Sequence, residues 1–369
     1  MKRPRGWRLR VVTVAAVTLI ILFSYYYLNY IRPSEASLVI YTYNSLLKYG
    51  LDPADTYDKV FSAFGRKYNI QIIVKNFSDT GALLPALLGE KNDPKADVVI
   101  GLTPVMIQQA KQNELLEQYT PNGIDSIPTY LVQDMDPEHY ATPYEYSMIS
   151  LDYDNFVNQS AYPRIANLTY TDFYDGAYSD ALLLENPTLS APGLDFLLGQ
   201  IAFYNDVLHE DWHVWWNEVK GHAKVTSSWD EAFGLFSSGT SGYHIVVSYA
   251  ADPAYNAYFN YTIGNTTVMH YGSKAYGWLE ILGIGIVRNA KHIDMARNFV
   301  DWFIGETVQE QIPLNEWVYP ARSDVPLPEV YKYALNASDV IVLNNFITPE
   351  AISENLTRWL QEWQSITQS

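Results

Sequence analysis

The chain contains no cysteine among its 369 residues. This absence excludes disulfide bonds, thiolate metal ligands, a cysteine nucleophile and a lipid anchor attached to cysteine. Two loops that mark common enzyme classes are also missing, since the sequence has neither a Gly-rich phosphate loop of the P-loop type nor a G-x-S-x-G turn. The sequence therefore lacks the usual marks of an ATPase, a cysteine hydrolase or a serine hydrolase.

Positive charge is scarce and unevenly spread. The chain has 24 Lys and Arg against 41 Asp and Glu, a net charge of −17. Residues 1–36 hold six basic residues and one acid, so the remaining chain bears a net charge of −22. So acidic a body repels nucleic acid and favours cationic ligands, and we expect no nucleic-acid partner.

The N-terminus predicts the compartment. Val11 to Leu28 is an uncharged stretch of 18 residues that follows five basic residues. A bilayer core is spanned by roughly 20 apolar residues, and a basic flank stays in the cytoplasm. We therefore predict an N-terminal transmembrane anchor that leaves the body extracytoplasmic. The alternative is a cleaved signal peptide, which would leave the body secreted.

Seven Asn-x-Ser/Thr sequons support an outward location, because such sequons can be glycosylated on extracytoplasmic surfaces. They begin at Asn76, Asn158, Asn167, Asn260, Asn265, Asn336 and Asn355.

Strands and helices alternate in the first part of the body. Strand patterns occur at 38–43, 70–74 and 97–101, and helix patterns occur between them at 56–68 and 81–90. This βαβαβ order predicts a parallel sheet with helices on both faces. In such sheets ligands bind beyond the carboxyl ends of the strands.

The same theme is repeated further along the chain. Residues 182–184 and 243–249 read as strands, and 194–204 reads as an apolar helix. The apolar run at 277–287 predicts an extended return to the first part, and 349–366 predicts an amphipathic helix.

We therefore predict an α/β fold of two lobes. Residues 1–36 form the basic flank, the anchor or signal and a linker, 37–143 the first part of lobe I, 144–279 lobe II, and 280–369 the rest of lobe I with the C-terminal helix. Two such lobes outside a membrane are the anatomy of a solute-binding protein, which holds its ligand between them and closes by a hinge. We expect a monomer.

Several aromatic residues follow strand patterns in the second lobe, notably Trp229, Tyr249 and Tyr255. Aromatic rings are rigid, and their faces attract cations. The cluster predicts a cage for a flat or positively charged small molecule, although each ring taken singly also fits a core position.

Beyond these patterns, the body resembles the thiamine-binding proteins of bacterial ABC importers from about residue 38 to 365. The matching strings are Tyr41-Thr42-Tyr43-Asn44-Ser45, Lys95 to Leu102, Ala191 to Leu194, Trp229 to Phe236, Ser248-Tyr249, Pro253 to Tyr255, Ile312-Pro313, Trp317 to Pro320 and Trp359 to Trp363. The resemblance implies a type 2 periplasmic-binding fold that passes thiamine or its phosphates to a permease with a cytoplasmic ATPase. It implies no catalytic residue, resident metal or cofactor.

The resemblance also implies a set of ligand contacts. Thr80-Gly81 and Ser190-Ala191 correspond to the turns that meet the hydroxyl or phosphate end. The implied aromatic contacts are Trp229, Tyr249, Tyr255 and Trp317, with Tyr43 on the opposite wall and the segment from Tyr249 to Asp252 closing the pocket.

Two positions depart from the family pattern. Asn44 stands where a carboxylate usually follows the tyrosine, and Thr80 stands where an acid usually precedes the glycine. Both changes remove negative charge near a cationic ligand, so the ligand could be a cation other than thiamine. Ferric iron and a polyamine are the alternatives.

The segment from His209 to His213 matches H-E-x-x-H, the pattern of zinc peptidases. On a helix its two histidines would share one face, and Glu231 could supply a third ligand. The surrounding residues instead favour an ordinary amphipathic surface helix. A zinc peptidase is kept as a remote alternative.

Overall fold

The computed structural model describes residues 17–20, 37–154, 160, 162–261 and 264–368. The predicted anchor at 11–28 falls outside these ranges except for residues 17–20, which are helical. Across the described ranges, no helix is both long and apolar enough to cross a membrane. The anchor therefore stays a prediction.

The described strands form one mixed sheet. They are β1 Ser37–Tyr43, β2 Gln71–Phe77, β3 Val98–Leu102, β4 Leu116–Glu117, β5 Ala141–Tyr153, β6 Leu182–Glu185, β7 Lys224–Thr226, β8 Ile245–Tyr249, β9 Asn265–Thr267, β10 Met269–Tyr271, β11 Lys274–Val287, β12 Tyr319–Pro320 and β13 Val340–Val342. The central order is β2-β1-β3-β11-β5-β8-β6-β7.

Two groups of parallel strands are joined by two long antiparallel strands. Strand β1 runs parallel to β2 and β3, and β6 runs parallel to β7 and β8. Strands β5 and β11 lie between these groups and are antiparallel to each other and to their neighbours β8 and β3. The predicted return at 277–287 is thus part of β11.

The helices pack on the faces of this sheet. They are α1 Pro53–Tyr57, α2 Ala63–Tyr68, α3 Leu83–Gly89, α4 Pro104–Gln112, α5 Thr129–Met135, α6 Gly176–Asp180, α7 Ala191–Ala202, α8 His213–Val219, α9 Trp229–Ser237, α10 Asp252–Tyr258, α11 Ile293–Phe303, α12 Glu306–Gln309, α13 Ile312–Asn315 and α14 Pro349–Thr367.

Local sequence accounts for several helix boundaries. The helix predicted at 56–68 begins earlier, at Pro53, because the Asp52 side chain accepts the N–H of Asp55 and proline suits a first turn. A π-helical turn at Asp58–Ser62 separates α1 from α2. The predicted C-terminal helix is α14, and the Thr348 side chain caps it by accepting the N–H of Ala351.

Two hydrophobic cores lie on either side of the antiparallel pair. The first core is built mainly by β1, β3, α2 and α11, and the second mainly by β6, α7, α8 and α14. Strand β5 contributes Tyr144 to the first core and Ile149 to the second, and β11 contributes Ile284 and Trp278 in the same way. Continuous strands therefore connect the two cores. The lobe boundaries drawn from the sequence stay predictions.

Candidate functional site

A cavity that opens to solvent lies where the two cores face each other, and it encloses about 680 Å³ of empty space including the solvent at its mouth. Its walls come from many elements of the chain. The lining residues are Tyr43, Ser45, Tyr49, Asp79, Thr80, Glu145, Ala191, Pro192, Trp229, Phe233, Tyr249, Asp252, Tyr255, Glu280, Leu282, Glu316, Trp317 and Val318.

The position of the cavity follows from the sheet topology. Tyr43 is the last residue of β1, Asp79 follows β2, Trp229 follows β7, and Tyr249 is the last residue of β8. All four strands belong to the parallel groups, so their carboxyl ends open onto the space between the cores. Ligands bind at such ends in parallel α/β sheets.

One side of the cavity is an aromatic wall, formed by Tyr49, Trp229, Phe233, Tyr255 and Trp317. The indole of Trp229 stacks on Phe233 with ring centroids 4.8 Å apart, and Tyr49 meets it edge-on at 5.3 Å. Tyr255 meets Trp317 edge-on at 5.3 Å. These are the favourable geometries for aromatic pairs, and they hold each ring in place for a flat or cationic ligand.

Hydrogen bonds fix the orientation of Trp229. Its indole Nε1–H donates to Ser248 Oγ at 3.0 Å, and the Ser248 hydroxyl donates to the Asp252 carboxyl group. Asp252 also accepts the N–H of Tyr249 at 3.2 Å. Burial raises the pKa of Asp252, and hydrogen bonds from Ser248 and Asp152 partly offset that rise. The ring is therefore held by a buried polar chain as well as by packing.

Trp317 has an unusual backbone conformation. Its φ angle is +61°, in the left-handed region that bulky residues rarely adopt. The side chain is 3% exposed, and its Nε1–H donates to the backbone carbonyl of Tyr49 at 3.0 Å. Such strain persists only where the surroundings fix it, and it is often found at ligand-binding sites.

The cavity is also lined by three glutamates, here called the carboxyl floor: Glu145 of β5, Glu280 of β11 and Glu316, which follows α13. Burial, reinforced by the charge of Glu316, raises the pKa of Glu145 well above its usual value. Burial likewise raises the pKa of Glu280, with Asp195 adding to the effect. Burial raises the pKa of Glu316 to about 8.

This floor was not predicted from the sequence. Glu145 and Glu280 each stand alone between large apolar or aromatic neighbours, in Tyr144-Glu145-Tyr146 and Leu279-Glu280-Ile281, and Glu316 follows Asn315, so none belongs to a recognisable motif. A single acid inside an apolar strand pattern was the available signal, because a buried carboxyl group is rarely retained without a role.

Beside the cavity, the segment that follows β2 touches the segments that follow β6 and β7. The Ala191 N–H donates to Thr80 Oγ1 at 3.2 Å, and the Trp229 N–H donates to Asp79 Oδ2 at 3.3 Å. A Cβ on Gly81 would lie 2.3 Å from the carbonyl oxygen of Leu189, so the contact requires glycine there. The turns predicted to hold a hydroxyl or phosphate are therefore brought together.

Most residues predicted to bind the ligand line the cavity. These are Tyr43, Thr80, Ala191, Trp229, Tyr249, Asp252, Tyr255 and Trp317. Asn44, Gly81 and Ser190 lie beside it: Asn44 donates to Asp230 Oδ2 at 3.3 Å on the exposed rim, and Ser190 is buried at the start of α7. The part of each residue in ligand binding stays a prediction.

The H-E-x-x-H segment does not form one helix. His209 ends a π-helical turn with a left-handed φ of +58°, and α8 begins only at His213. His209 Nδ1 lies 3.0 Å from the carbonyl oxygen of Asn205, and His213 Nε2 lies 3.3 Å from Glu362. Throughout the described part of the chain no three His, Asp or Glu side chains are arranged to hold a metal ion. The zinc-peptidase geometry is therefore not formed.

Known proteins are similar to this chain in sequence and in architecture. The Brucella suis protein named "Thiamine-binding periplasmic protein" is 27% identical over 338 residues, which cover 90% of this chain and 93% of that protein. A solved periplasmic thiamin-binding protein superposes with a TM-score of 0.75 at 22% identity, over 90% of this chain and 96% of the other. Iron-bound HitA from Pseudomonas aeruginosa superposes with a TM-score of 0.65 at 16% identity, over 90% of this chain and 99% of HitA.

These superpositions establish an α/β fold shared with periplasmic binding proteins. The family described as "Bacterial extracellular solute-binding protein" matches residues 93–339, about two thirds of the sequence. The chain belongs to this family of solute-binding proteins.

Proposed function

We propose that the chain is the ligand-binding component of an ABC importer and that its ligand is thiamine or a thiamine phosphate. One observation carries this proposal: aromatic rings and buried carboxyl groups line the same cavity. A flat, permanently cationic molecule suits both kinds of group at once. The names of the similar thiamine-binding proteins point the same way.

Thiamine suits this combination chemically. Its aminopyrimidine ring is flat, and its thiazolium ring carries a permanent positive charge. A cation over an aromatic face gains about 0.5–2 kcal/mol, and more when it is removed from water. Trp229, Tyr255 and Trp317 supply such faces, and the carboxyl floor supplies negative charge across the cavity.

The proposed mechanism is capture between two lobes of a type 2 periplasmic-binding fold. The ligand would enter the open cleft, hinge closure would bury it, and the closed form would dock on a permease that has a cytoplasmic ATPase. We place this binding step outside the cytoplasm, with the protein monomeric. An N-terminal anchor would keep it beside the permease, as suits a cell without an outer membrane.

A polyamine is the second candidate, and the carboxyl floor is the observation that favours it. Each ammonium group of spermidine would form ion pairs and hydrogen bonds with carboxylates. Spermidine has no ring, however, and would leave much of the aromatic wall without a stacking partner. Ferric iron is less favoured, because it would need tyrosine phenolates clustered with an acid or a histidine, and Tyr249 and Tyr255 stand six residues apart rather than adjacent.

Isothermal titration calorimetry with the full chain tests the proposal. The ligands are thiamine, its mono- and diphosphate, spermidine and ferric citrate. We expect sub-micromolar binding of at least one thiamine form, with no comparable heat from the other two ligands. Binding of spermidine or ferric citrate alone would refute the thiamine assignment while leaving the solute-binding role intact.

A further inference from the structure

The carboxyl floor is buried and incompletely hydrogen-bonded. Glu145 and Glu280 are each 3% exposed, and both line the cavity. Glu145 Oε2 and Glu280 Oε1 have no partner with good hydrogen-bond geometry among the described residues, although the hydroxyls of Tyr144 and Tyr249 lie near these two carboxyl groups and oppose the rise in their pKa. Leaving a buried acceptor unsatisfied costs about 1–3 kcal/mol, and more for a charged group. Two such oxygens beside one cavity point to a partner that the empty protein does not supply.

The hydrogen bonds around Tyr43 leave room for a proton on the floor. Its hydroxyl oxygen lies 3.0 Å from the Tyr144 hydroxyl, 3.1 Å from Glu145 Oε1 and 2.7 Å from Glu316 Oε1. The Tyr43 hydroxyl has a single proton, so its two contacts with carboxyl groups share that proton unless one carboxyl group is itself protonated. A proton on Glu145 or Glu316 would give each contact a proton of its own.

Glu316 is held in this arrangement by its neighbours. The backbone N–H of Leu47 donates to Glu316 Oε2, and Tyr43 contacts the other oxygen. Leu47 and Trp317, the residue after Glu316, both have left-handed φ angles, of +57° and +61°. Two non-glycine residues in this region beside one carboxyl group indicate that its position is fixed by the surrounding structure.

Little positive charge faces the floor. In the described ranges none of its three carboxyl groups forms an ion pair with Lys, Arg or His. Lys48 acts on Glu316 at longer range. The other titratable groups that face the floor are acids and phenols: Asp79, Asp195, Asp230, Tyr43, Tyr49, Tyr144, Tyr249 and Tyr331.

We infer that Glu145, Glu280 and Glu316 form a cation subsite that exchanges a proton for the ligand's charge. This inference rests on the proposed function and names the groups that read the charge of the ligand. In the empty protein the floor retains at least one carboxyl proton. When a permanently charged ring enters, a carboxyl O–H ionises, its proton leaves to solvent, and the carboxylate remains opposite the ring.

The chemistry of a quaternary ring explains why an unpaired carboxylate suits it. A thiazolium nitrogen has no N–H, so it cannot form the hydrogen bonds by which an ammonium group would satisfy the floor. It interacts through charge alone, and that interaction is strong in a buried site. Cation affinity should therefore rise with pH while the floor titrates, and the affinity of a neutral ligand should not.

Two ligands of the same shape separate charge from packing. Thiamine is compared with thiamine thiazolone, in which a ring carbonyl makes the five-membered ring neutral. Calorimetry of the full chain at pH 6.5, 7.5 and 8.5, in buffers of different protonation enthalpy, counts the protons released. We expect release with thiamine, which declines toward the highest pH, and none with the thiazolone. Equal release with both ligands, or none with either, would overturn the subsite.

The Glu280→Gln variant tests the same point without relying on proton counting, and Glu218→Gln is its control because Glu218 is exposed on α8. A ligand that lowers the pKa of one carboxyl group by about 1 gains about tenfold in affinity from its ionisation. We expect Glu280→Gln to lower the affinity for thiamine by at least that factor, while the affinity for the thiazolone changes little. Equal weakening of both ligands would reduce Glu280 to a packing role. If neither ligand binds wild-type protein, the proposed function fails and this assignment fails with it.

Discussion

The protein contains two sets of buried carboxyl groups, and they differ in what surrounds them. Asp97 and Asp136 lie in the frame of the first core and are 2% and 0% exposed. Asp136 accepts from Lys111 Nζ at 2.9 Å and from the Tyr140 N–H at 2.6 Å. Asp97 accepts from the Val39 N–H at 2.9 Å and the His292 N–H at 3.0 Å.

The second set is the carboxyl floor of the cavity, where two oxygens lack a partner with good hydrogen-bond geometry. Removing a buried charge that the protein's own donors satisfy leaves those donors unpaired and destabilises the folded chain, whereas an unsatisfied buried charge itself opposes folding. Local rules of this kind are broken mainly at functional sites. The comparison therefore assigns the first set to stability and the second to ligand binding, and the two sets should respond differently to mutation.

The largest effect on stability is expected in the frame, the name used here for the first set of carboxyl groups, Asp97 and Asp136. Asp136→Ala leaves the Tyr140 N–H without its acceptor and Lys111 with only the largely exposed Glu138, and it should cost about 3 kcal/mol of unfolding free energy. Guanidinium unfolding measures this loss. Glu138→Ala is the matched control, because Glu138 pairs with the same lysine from a largely exposed position. That control should cost less than about 1 kcal/mol. Equal losses would remove the distinction between the two kinds of acid.

On the aromatic wall, Trp229→Ala should reduce ligand affinity by about 2 kcal/mol, the scale of a strong contact residue. The indole stacks on Phe233 and is only partly buried, so the fold should survive its removal. Calorimetry with thiamine measures the loss, and circular dichroism checks the fold. Tyr271→Ala is the control, since Tyr271 is 52% exposed and does not line the cavity. Unchanged affinity in the Trp229 variant would refute the aromatic cage.

The floor should reveal itself in the pH dependence of stability without ligand. Because burial raises the pKa of Glu280, the folded protein keeps that proton at pH values where the unfolded chain has lost it. Folding is therefore favoured most below the ordinary glutamate pKa. Stability falls as the pH rises toward the raised pKa, by about 1.4 kcal/mol for each pH step of about 1 between the two values.

Thermal unfolding of wild type and Glu280→Gln at pH 5 and pH 8 tests this sign. Wild type should lose stability relative to the variant on going to pH 8, because glutamine has no proton to lose. A stability difference between wild type and variant that stays the same at both pH values would show that Glu280 is already ionised at pH 5 in the folded protein. The frame and the floor would then no longer differ in the way proposed.

Sequence analysis located the aromatic side of the site better than the acidic side. Trp229, Tyr255 and Trp317 lie in strings that follow one another in family order, so their meeting in one cavity was predictable. The strands and α14 were also predictable, because hydrophobic periodicity marks them directly. Glu145 and Glu280 meet only because β5 and β11 pair as antiparallel neighbours, a long-range register that no local pattern contains.

The smallest expected effect lies beside the contact between Thr80 and Ala191. Ser190 Oγ is buried beside the Asp79 carboxyl group, and its hydrogen bond to that group partly offsets the rise that burial causes in the pKa of Asp79. Ser190→Ala should therefore change the binding of free thiamine by less than about 0.5 kcal/mol. A phosphate placed there would need the Ser190 hydroxyl as a donor, because Asp79 beside it is acidic. The substitution should therefore weaken the binding free energy of thiamine monophosphate by about 1 kcal/mol. Calorimetry with both ligands measures the difference. Equal losses would place the phosphate away from the start of α7 and leave the Thr80–Ala191 contact as a purely structural closure.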